Sequence, residues 1–497
     1  MVLLYIKGVE EKEKQNFQHT VDLYGRQLKV TEEQNEDTEM TLSFSSSRDQ
    51  TRGTLYAEEA ELSYTYYPSA AFTQEAPDSK EIKRRKLHVT VQLLNKWFHT
   101  EQPWGLLTGM RPTKLWHQWH QGGAGPEDIK HWLLEDYIVT PEKAELLTSI
   151  ALKQQEVLPD IYELSKGVSI YIGIPFCPTK CAYCTFPAYA MNGRNGSVVT
   201  FLEGLHYEME ETGRWLKENN VPVDTIYFGG GTPTSITAEE MDALYSHMYE
   251  VIPDIENIRE ITVEAGRPDT ITPEKLDVLK KWNIDRISIN PQSFTNETLK
   301  AIGRHHSVEE TIDKYKLAKV HGMNNINMDL IIGLPNEGME EMAHSLAETE
   351  KLLPESVTVH TLSFKKASEM TRQKNKYKVA EPAEVEQMMN LSSQWMADHS
   401  YEPYYLYRQK NILGNLENVG YSFKGKESLY NIIIMEELQT IIGLGCGAAS
   451  KWVDPETGRI SRFANPKDPI SYIQSYGEYT VKKLDTLSGL FPASQKA

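Results

Sequence analysis

The middle of the sequence predicts an α/β fold: six parallel strands, each followed by a helix, curled into a full or partial barrel, with an appendage before it and an α+β cap after it. Three observations carry that reading. Short runs rich in β-branched and aromatic residues alternate with segments of helical period. The runs are apolar almost throughout, as in a sheet buried on both faces and joined by right-handed crossovers. Cysteine, glycine and charged residues recur at their carboxyl ends, the edge where such sheets carry sites.

Taken in order, residues 1–160 read as an N-terminal extension to which the pattern assigns no single fold. Its first 50 residues suit a small α+β or partly mobile appendage, and the polar, acidic stretch Glu32–Asp49 reads as a loop or mobile segment. The run KRRK (Lys83–Lys86) and the segment Trp104–Trp119 combine cations with aromatics. Charge runs are usually solvated helix faces; the sharper alternative is a cap that presents Arg111 and Lys114 to substrate carboxylates.

The barrel core is expected over residues 161–375. VSIYIGI (Val168–Ile174) is its first strand; after the cysteine loop, Val198, Leu202, Leu205 and Met209 share one helical face. DTIYF (Asp224–Phe228) is the second, ended by Gly229, Gly230 and Gly231 and followed by a helix capped by Thr237. EITVEA (Glu260–Ala265) is the third, with a helix from Pro273. DRISIN (Asp285–Asn290) is the fourth, followed by helical stretches near Glu297 and over Val308–Val320. NINMDLIIG (Asn325–Gly333) is the fifth, with a helix after Gly338, and SVTVHTLSF (Ser356–Phe364) is the sixth. Residues 376–497 are expected to form a C-terminal substrate-covering region, in which Tyr401–Lys410 resembles a strand of a domain that covers the barrel mouth and Arg408 is a further candidate for a substrate carboxylate.

The formal net charge is -18, from 70 acidic and 52 basic residues. That balance favours solubility and argues against nucleic acid or a membrane surface as partner. The opening MVLLYIKGVEEKEK lacks the basic flank of a signal peptide, and no apolar run reaches the ~18–20 residues of a spanning helix. A cytoplasmic protein with reduced thiols is the expectation. Three of the four cysteines, Cys177, Cys181 and Cys184, fall within PFCPTKCAYCTF (Pro175–Phe186). Structural zinc wants four ligands, whereas three thiolates suit an iron–sulfur cluster with one iron left open; zinc and a reactive or buried thiol group remain the alternatives. Cys446, in a glycine-rich turn, reads as a buried small residue. Glu264 and Asp329 sit among apolar residues, where a carboxylate is costly unless it meets a cation or a ligand.

The C-x3-C-x2-C loop resembles that of the radical S-adenosylmethionine (SAM) enzymes. YIGIPFCPTKCAYC, YFGGGTPT, ITVEAGRPD, RISINPQSF, LKAIGRHH and NMDLIIGLP, in that order, resemble more narrowly the oxygen-independent coproporphyrinogen oxidase family. WGLLTGMRPTK and YYLYRQKNILGNLENVGYS resemble its HemZ-type branch.

The resemblance implies a partial (β/α)6 radical SAM barrel, with Cys177, Cys181 and Cys184 as ligands of a [4Fe–4S] cluster whose open iron takes SAM. It implies that Tyr171 contacts SAM and that Tyr183 lies beside its adenine. Gly230, Gly231 and Thr232 would offer backbone contacts to the methionyl part. Glu264, Gln292, Arg304 and Asp329 would hold SAM, its ribose included, or a second SAM-like ligand, with Ser363 at the aligned end of strand six. No catalytic side chain beyond the cluster and SAM is implied. The implied reaction is oxidative decarboxylation of two propionates of coproporphyrinogen III to vinyls in haem biosynthesis, with a tetrapyrrole substrate and an unidentified electron donor as partners. One position departs from the pattern: Phe186 stands where the oxidases carry a further cysteine. Relatives without that cysteine include haem-binding chaperones and haem-modifying enzymes, so a haem-binding chaperone or a radical SAM enzyme modifying another tetrapyrrole is the alternative.

Overall fold

The structure is a computed structural model that describes residues 2–492 apart from 26–27, 32, 59, 73–76, 187, 190–196, 366, 374–375 and 410–411. The chain divides into two compact units, Met1–Ala151 and Leu152–Ala497.

In the first unit β1 (Val2–Ile6), β2 (Leu28–Thr31), β3 (Thr38–Ser46), β4 (Thr51–Ala57) and β5 (Ala60–Tyr66) form one sheet in the order β2-β1-β3-β4-β5. β1 runs parallel to both neighbours, with the helix Glu11–Asp22 as the crossover to β2, and β3 to β5 form an antiparallel meander. Leu4, Phe17, Leu42, Leu55 and, from the helix Ser79–Phe98, Val89 and Leu93 make the core.

Two expectations are corrected here. Half of the supposed loop Glu32–Asp49 is β3 (Glu32 itself lies outside the described residues). Met40 and Leu42 are buried while Thr41 and Ser43 are not, so a period-2 strand hid behind Ser and Thr on its open face. Nor is KRRK a solvated face. Arg85 is fully buried, donating to Glu81 and to the carbonyls of Arg48 and Phe72. Arg84 pairs with Glu81 at 2.8 Å and lies over the Phe72 ring.

The second unit holds the six strands read from the sequence: β6 (Val168–Ile174), β7 (Val223–Gly230), β8 (Glu260–Glu264), β9 (Arg286–Ser288), β10 (Ile326–Ile332) and β11 (Ser356–Thr361). The six run parallel to one another. Thr237 caps its helix by accepting from Glu240 N–H, in a reciprocal capping box. The C-terminal region 376–497 lies within this second unit. It supplies β12 (Glu402–Tyr407) and β13 (Asn418–Ser422) to one edge and β14 (Thr440–Gly445), β15 (Ala449–Val453) and β16 (Ile460–Ala464) to the other. The 11-stranded order is β12-β13-β11-β10-β9-β8-β7-β6-β14-β15-β16, and β11 pairs antiparallel with β13 on its other side. β14 lies parallel to β6, a seventh parallel strand that the sequence pattern did not single out.

The join between β14 and the rest is fixed by a buried ion pair. Glu208, in the helix Val198–Asn219, meets Lys483, in the helix Pro469–Leu490, with side chains 0% and 1% exposed. Glu208 also accepts from Gly445 N–H (2.7 Å), Tyr472 Oη (2.7 Å) and Asn465 Nδ2 (3.0 Å), and Lys483 donates to Gly443 O (2.8 Å). Removing one partner leaves the other charge buried and uncompensated, a loss of about 3–5 kcal/mol. Lys483→Met should therefore lower unfolding stability by that order in chemical denaturation, and Lys483→Met with Glu208→Gln by less than the sum of the singles. A loss under about 1 kcal/mol for Lys483→Met would show that the pair behaves like an exposed one.

Candidate active site

Strand alternation sorts the sheet into two faces. Ile170, Ile172, Ile226, Phe228, Val263, Met328, Leu330 and Val359 are fully buried apolar positions. Between them Tyr171, Tyr227, Glu264, Ser288, Asn327, Asp329, Thr358 and His360 point to the other face and line a cavity of about 560 Å³. Every residue proposed from the sequence as a metal or cofactor contact lines that cavity: Tyr171, Cys177, Cys181, Tyr183, Cys184, Gly230, Gly231, Thr232, Glu264, Gln292, Arg304, Asp329 and Ser363.

The cysteine loop is held from several sides by backbone hydrogen bonds. Gly231 N–H donates to Ile174 O and Thr232 N–H to Phe176 O, both at 2.7 Å; Ala182 N–H donates to Ile302 O (2.9 Å) and Met370 N–H to Ala182 O (3.0 Å). Gly230 has φ +108°, and a Cβ on Gly231 would lie 2.4 Å from Phe176 O, so these two glycines permit the contact. All three thiols are free. Cys177 Sγ lies 3.2 Å from Thr232 Oγ1 and 3.9 Å from Arg267 Nη1. Arg304 donates to Cys181 and Tyr183, and to the carbonyls of Asn290 (2.6 Å) and Gly266 (3.3 Å). Burial, with Cys181 and Cys177 nearby, pushes the Cys184 thiol above its ordinary pKa.

The opposite wall carries two carboxylates in different states. Burial pushes Glu264 up to about 7, against a hydrogen bond from Tyr227 Oη at 2.5 Å, and Asp329 adds to the rise. Burial also opposes ionisation of Asp329, yet His360, Asn327 and Arg304 together hold it below the usual carboxylate range. His360 Nε2 is 3.5 Å from Asp329 Oδ2, Asn327 Nδ2 donates to Oδ1 at 2.7 Å, and Tyr407 Oη meets His360 Nδ1 at 3.2 Å. Gln292 adopts a left-handed φ of +67° just past β9, pinned by Gln292 N–H to Asp329 O (2.8 Å) and Ile331 N–H to Gln292 O (2.9 Å). Tyr430 stacks on Tyr227 with ring centroids 4.4 Å apart.

The cation expectations fare differently. Arg408 is buried but does not line the cavity; it donates to the carbonyl and side chain of Asn415 and is a structural brace, not a carboxylate anchor. Lys410 lies outside the described residues. Arg111 and Lys114 belong to the first unit, whereas the cavity is lined by residues of the second. Cys446 lines the cavity edge, with Sγ 3.4 Å from Pro466 O and burial pushing its thiol up to about 12, which keeps it protonated. Sequence reasoning missed Arg267, Tyr227, His360, Lys365 and Tyr430. Two steps of strand alternation from Gly229 would have found Tyr227, and Arg267 stood in the quoted EAGRPD. Tyr430 begins a helix far along the chain and left no local signal.

Residues 171–348 match the model of the radical SAM superfamily. The oxygen-independent coproporphyrinogen-III oxidase-like protein HemZ of Bacillus subtilis (strain 168) is 63% identical over 417 residues, covering 84% of this chain and 83% of the relative. The chain belongs to this HemZ-type family of radical SAM proteins. The haem chaperone HemW of Haemophilus influenzae (strain ATCC 51907 / DSM 11121 / KW20 / Rd) is 28% identical over 324 residues, 64% of this chain and 79% of the relative. In fold, the HemZ-type chain resembles coproporphyrinogen III oxidase (HemN) of Escherichia coli, with a TM-score of 0.52 at 20% identity over 66% of this chain and 73% of that one.

Radical SAM proteins use a [4Fe–4S] cluster and SAM, and the residues around the cavity fit both. No three His, Cys, Asp or Glu among the described residues are grouped to hold a single metal ion. A cubane takes one thiolate on each of three irons and leaves the fourth open, which suits three cysteines, whereas structural zinc wants four ligands. Ser288 Oγ, Asn290 Oδ1 and Arg304 Nε are buried without a hydrogen-bond partner around the cavity, and such groups call for a polar ligand.

The raised Glu264 gives a pH signature. In the ligand-free protein its folded pKa of about 7 exceeds the unfolded value of about 4.3. The folded state then binds the extra proton, so this contribution favours folding below about 4.3 and is lost as pH rises to about 7. Glu264→Gln removes that dependence: its Tm relative to wild type should be higher at pH 8 than at pH 5. The same pH dependence in both proteins would mean that Glu264 ionises as it does in water.

Proposed function

We propose that this protein is a radical SAM oxidoreductase of porphyrin biosynthesis that converts coproporphyrinogen III to protoporphyrinogen IX without oxygen. The observation that carries the reading is the gathering of Cys177, Cys181 and Cys184 with Glu264, Gln292, Arg304 and Asp329 around one cavity, in a chain 63% identical to the HemZ oxidase-like relative.

In this reading the three cysteines hold the cluster, with Arg267 and Arg304 offsetting thiolate charge. Gly230, Gly231 and Thr232 leave room for the methionyl part of SAM against the backbone, and Tyr171 and Tyr183 border it. Glu264, held by Tyr227, and Asp329, held by His360, accept from its ammonium and hydroxyl groups; Gln292, Arg304 and Ser363 complete the lining. Bound together, the cofactors supply reductive carbon–sulfur cleavage and, through it, hydrogen-atom abstraction from an unactivated C–H. The protein's share is position and exclusion of water. Each propionate loses one hydrogen atom, one CO2 and one electron and becomes a vinyl group, so two SAM are used per tetrapyrrole. Residues 376–497 contribute Tyr405, Tyr407, Tyr430 and Cys446 to the lining, which suits a substrate-covering role. The electron donor is a separate partner, and the reading places the protein in a reducing cytoplasm. Among the described residues no helix is long and apolar enough to cross a membrane.

Phe186 at the position of the oxidases' further cysteine favours one second reading, a haem-binding role with the cluster retained. Anaerobic incubation of the reconstituted protein with SAM, reductant and coproporphyrinogen III separates the two. Monovinyl and divinyl products with two CO2 released are expected; stoichiometric haem binding with no vinyl product would replace the oxidase reading by the haem-binding one.

The ligand assignment has its own check. Alanine at Cys177, Cys181 or Cys184 should abolish iron loading and SAM cleavage, and Cys446→Ala should load iron as wild type does. Iron content in Cys446→Ala as low as in Cys181→Ala would make Cys446 a ligand.

A further inference from the structure

At the cysteine side of the cavity, Lys365 and Phe186 are left in states that the protein alone does not account for. Among the described arginines and lysines that line the cavity, only the side chain of Lys365 makes no hydrogen bond or ion pair within the chain. Arg267 is committed to Asp269 and Thr179, and Arg304 to the carbonyls of Gly266 and Asn290. Lys365 is half-buried at the cavity wall, and that burial lowers its pKa. A half-buried ammonium with no carboxylate in the chain to pair with gains when an anion reaches it. Phe186 is 53% exposed although its ring lines the same cavity. Its backbone N–H approaches the Cys184 thiol. A large apolar ring left open in the same cavity as an unpaired cation fits a ligand that joins a flat apolar face to a carboxylate.

We propose that Lys365 and Phe186 form a substrate subsite in which Lys365 takes one propionate carboxylate and Phe186 packs on the pyrrole face that bears it. This rests on the tetrapyrrole reading above and adds where on the cavity wall the substrate is gripped. It also puts a local cation where an anionic substrate meets a chain of formal charge -18.

The test compares coproporphyrin III with its tetramethyl ester, which keeps the ring and removes the charge, in anaerobic titrations of the cluster-loaded full chain. Lys365→Met removes an unpaired charge and should fold as well as wild type. It should weaken binding of the free acid by about tenfold to a hundredfold and leave the ester unchanged. Lys365→Arg should restore most of the free-acid affinity. Phe186→Ala should weaken both forms alike. Unchanged free-acid affinity in Lys365→Met overturns the subsite, and the same result with an altered cluster EPR signal assigns the lysine to the cluster instead. A wild-type protein that binds neither form overturns it as well. If wild type binds coproporphyrin III through Lys365 but yields no vinyl product, the oxidase reading fails and the subsite stands. If vinyl product forms and Lys365→Met binds normally, the reverse holds.

Discussion

Two backbone hydrogen bonds, Gly231 N–H to Ile174 O and Thr232 N–H to Phe176 O, tie the start of the cysteine loop to the end of the neighbouring strand. A loop that must present three thiols in a fixed relation cannot rely on its own stiffness. Here it borrows rigidity from the sheet edge. The approach is so close that only glycine fits at 231, and it brings the Thr232 hydroxyl to the Cys177 sulfur at 3.2 Å. The turn after the helix Asn296–Ala301 fixes the loop's other side, through Ile302 O and Gly303 O. Arg304 follows directly and faces Cys181, so the brace that shapes the loop also sets its charge.

The second constraint is the polar inner face of the sheet. Buried polar groups cost free energy unless satisfied, and much of this face satisfies them through a connected set of hydrogen bonds, leaving a few groups open toward the cavity. Arg286 donates to Ser356 Oγ (2.7 Å), Asn327 Oδ1 (3.2 Å) and Lys426 O (2.9 Å). Asn327 in turn orients Asp329, which faces His360, which meets Tyr407. On the other side Glu260 accepts from Ser428 Oγ and from the N–H groups of Leu429 and Tyr430, capping the helix Leu429–Glu436. That cap sets Tyr430 against Tyr227, and Tyr227 holds Glu264. Residues from the C-terminal region thus act on the carboxylates without being the residues that the motifs advertise.

This explains what was legible in the sequence. The six strands could be read because each is a short apolar run ended by glycine or polar residues, and the helix Val308–Val320 carries its cap, Ser307, in plain view. The cysteines, glycines and carboxylates were legible because function places unusual residue types at strand ends. β3 was not, since its exposed Ser and Thr mask the alternation. β14 was not, since TIIGLG reads as a glycine-rich turn until a parallel partner, β6, is known. Charge was the least legible property. Arg85 and Arg408 look alike in sequence to Arg304 and Lys365, and only packing tells a brace from a group that faces the cavity.

The groups that packing leaves unsatisfied are then the informative ones. Glu264 is pushed toward its protonated form, Lys365 toward its neutral one, and Ser288 and Asn290 keep buried oxygens without partners. Each of these lowers the stability of the ligand-free protein, while fully satisfied charges such as Glu208 and Lys483 sit away from the cavity and hold the scaffold. Ligands that complete the cavity's hydrogen bonds bind the folded state and not the unfolded one, so they raise stability by mass action. The same residues that define the site therefore couple loading to folding. A substitution that makes the empty protein more stable while weakening its ligand is the mark of a functional group, and one that weakens both is the mark of a brace.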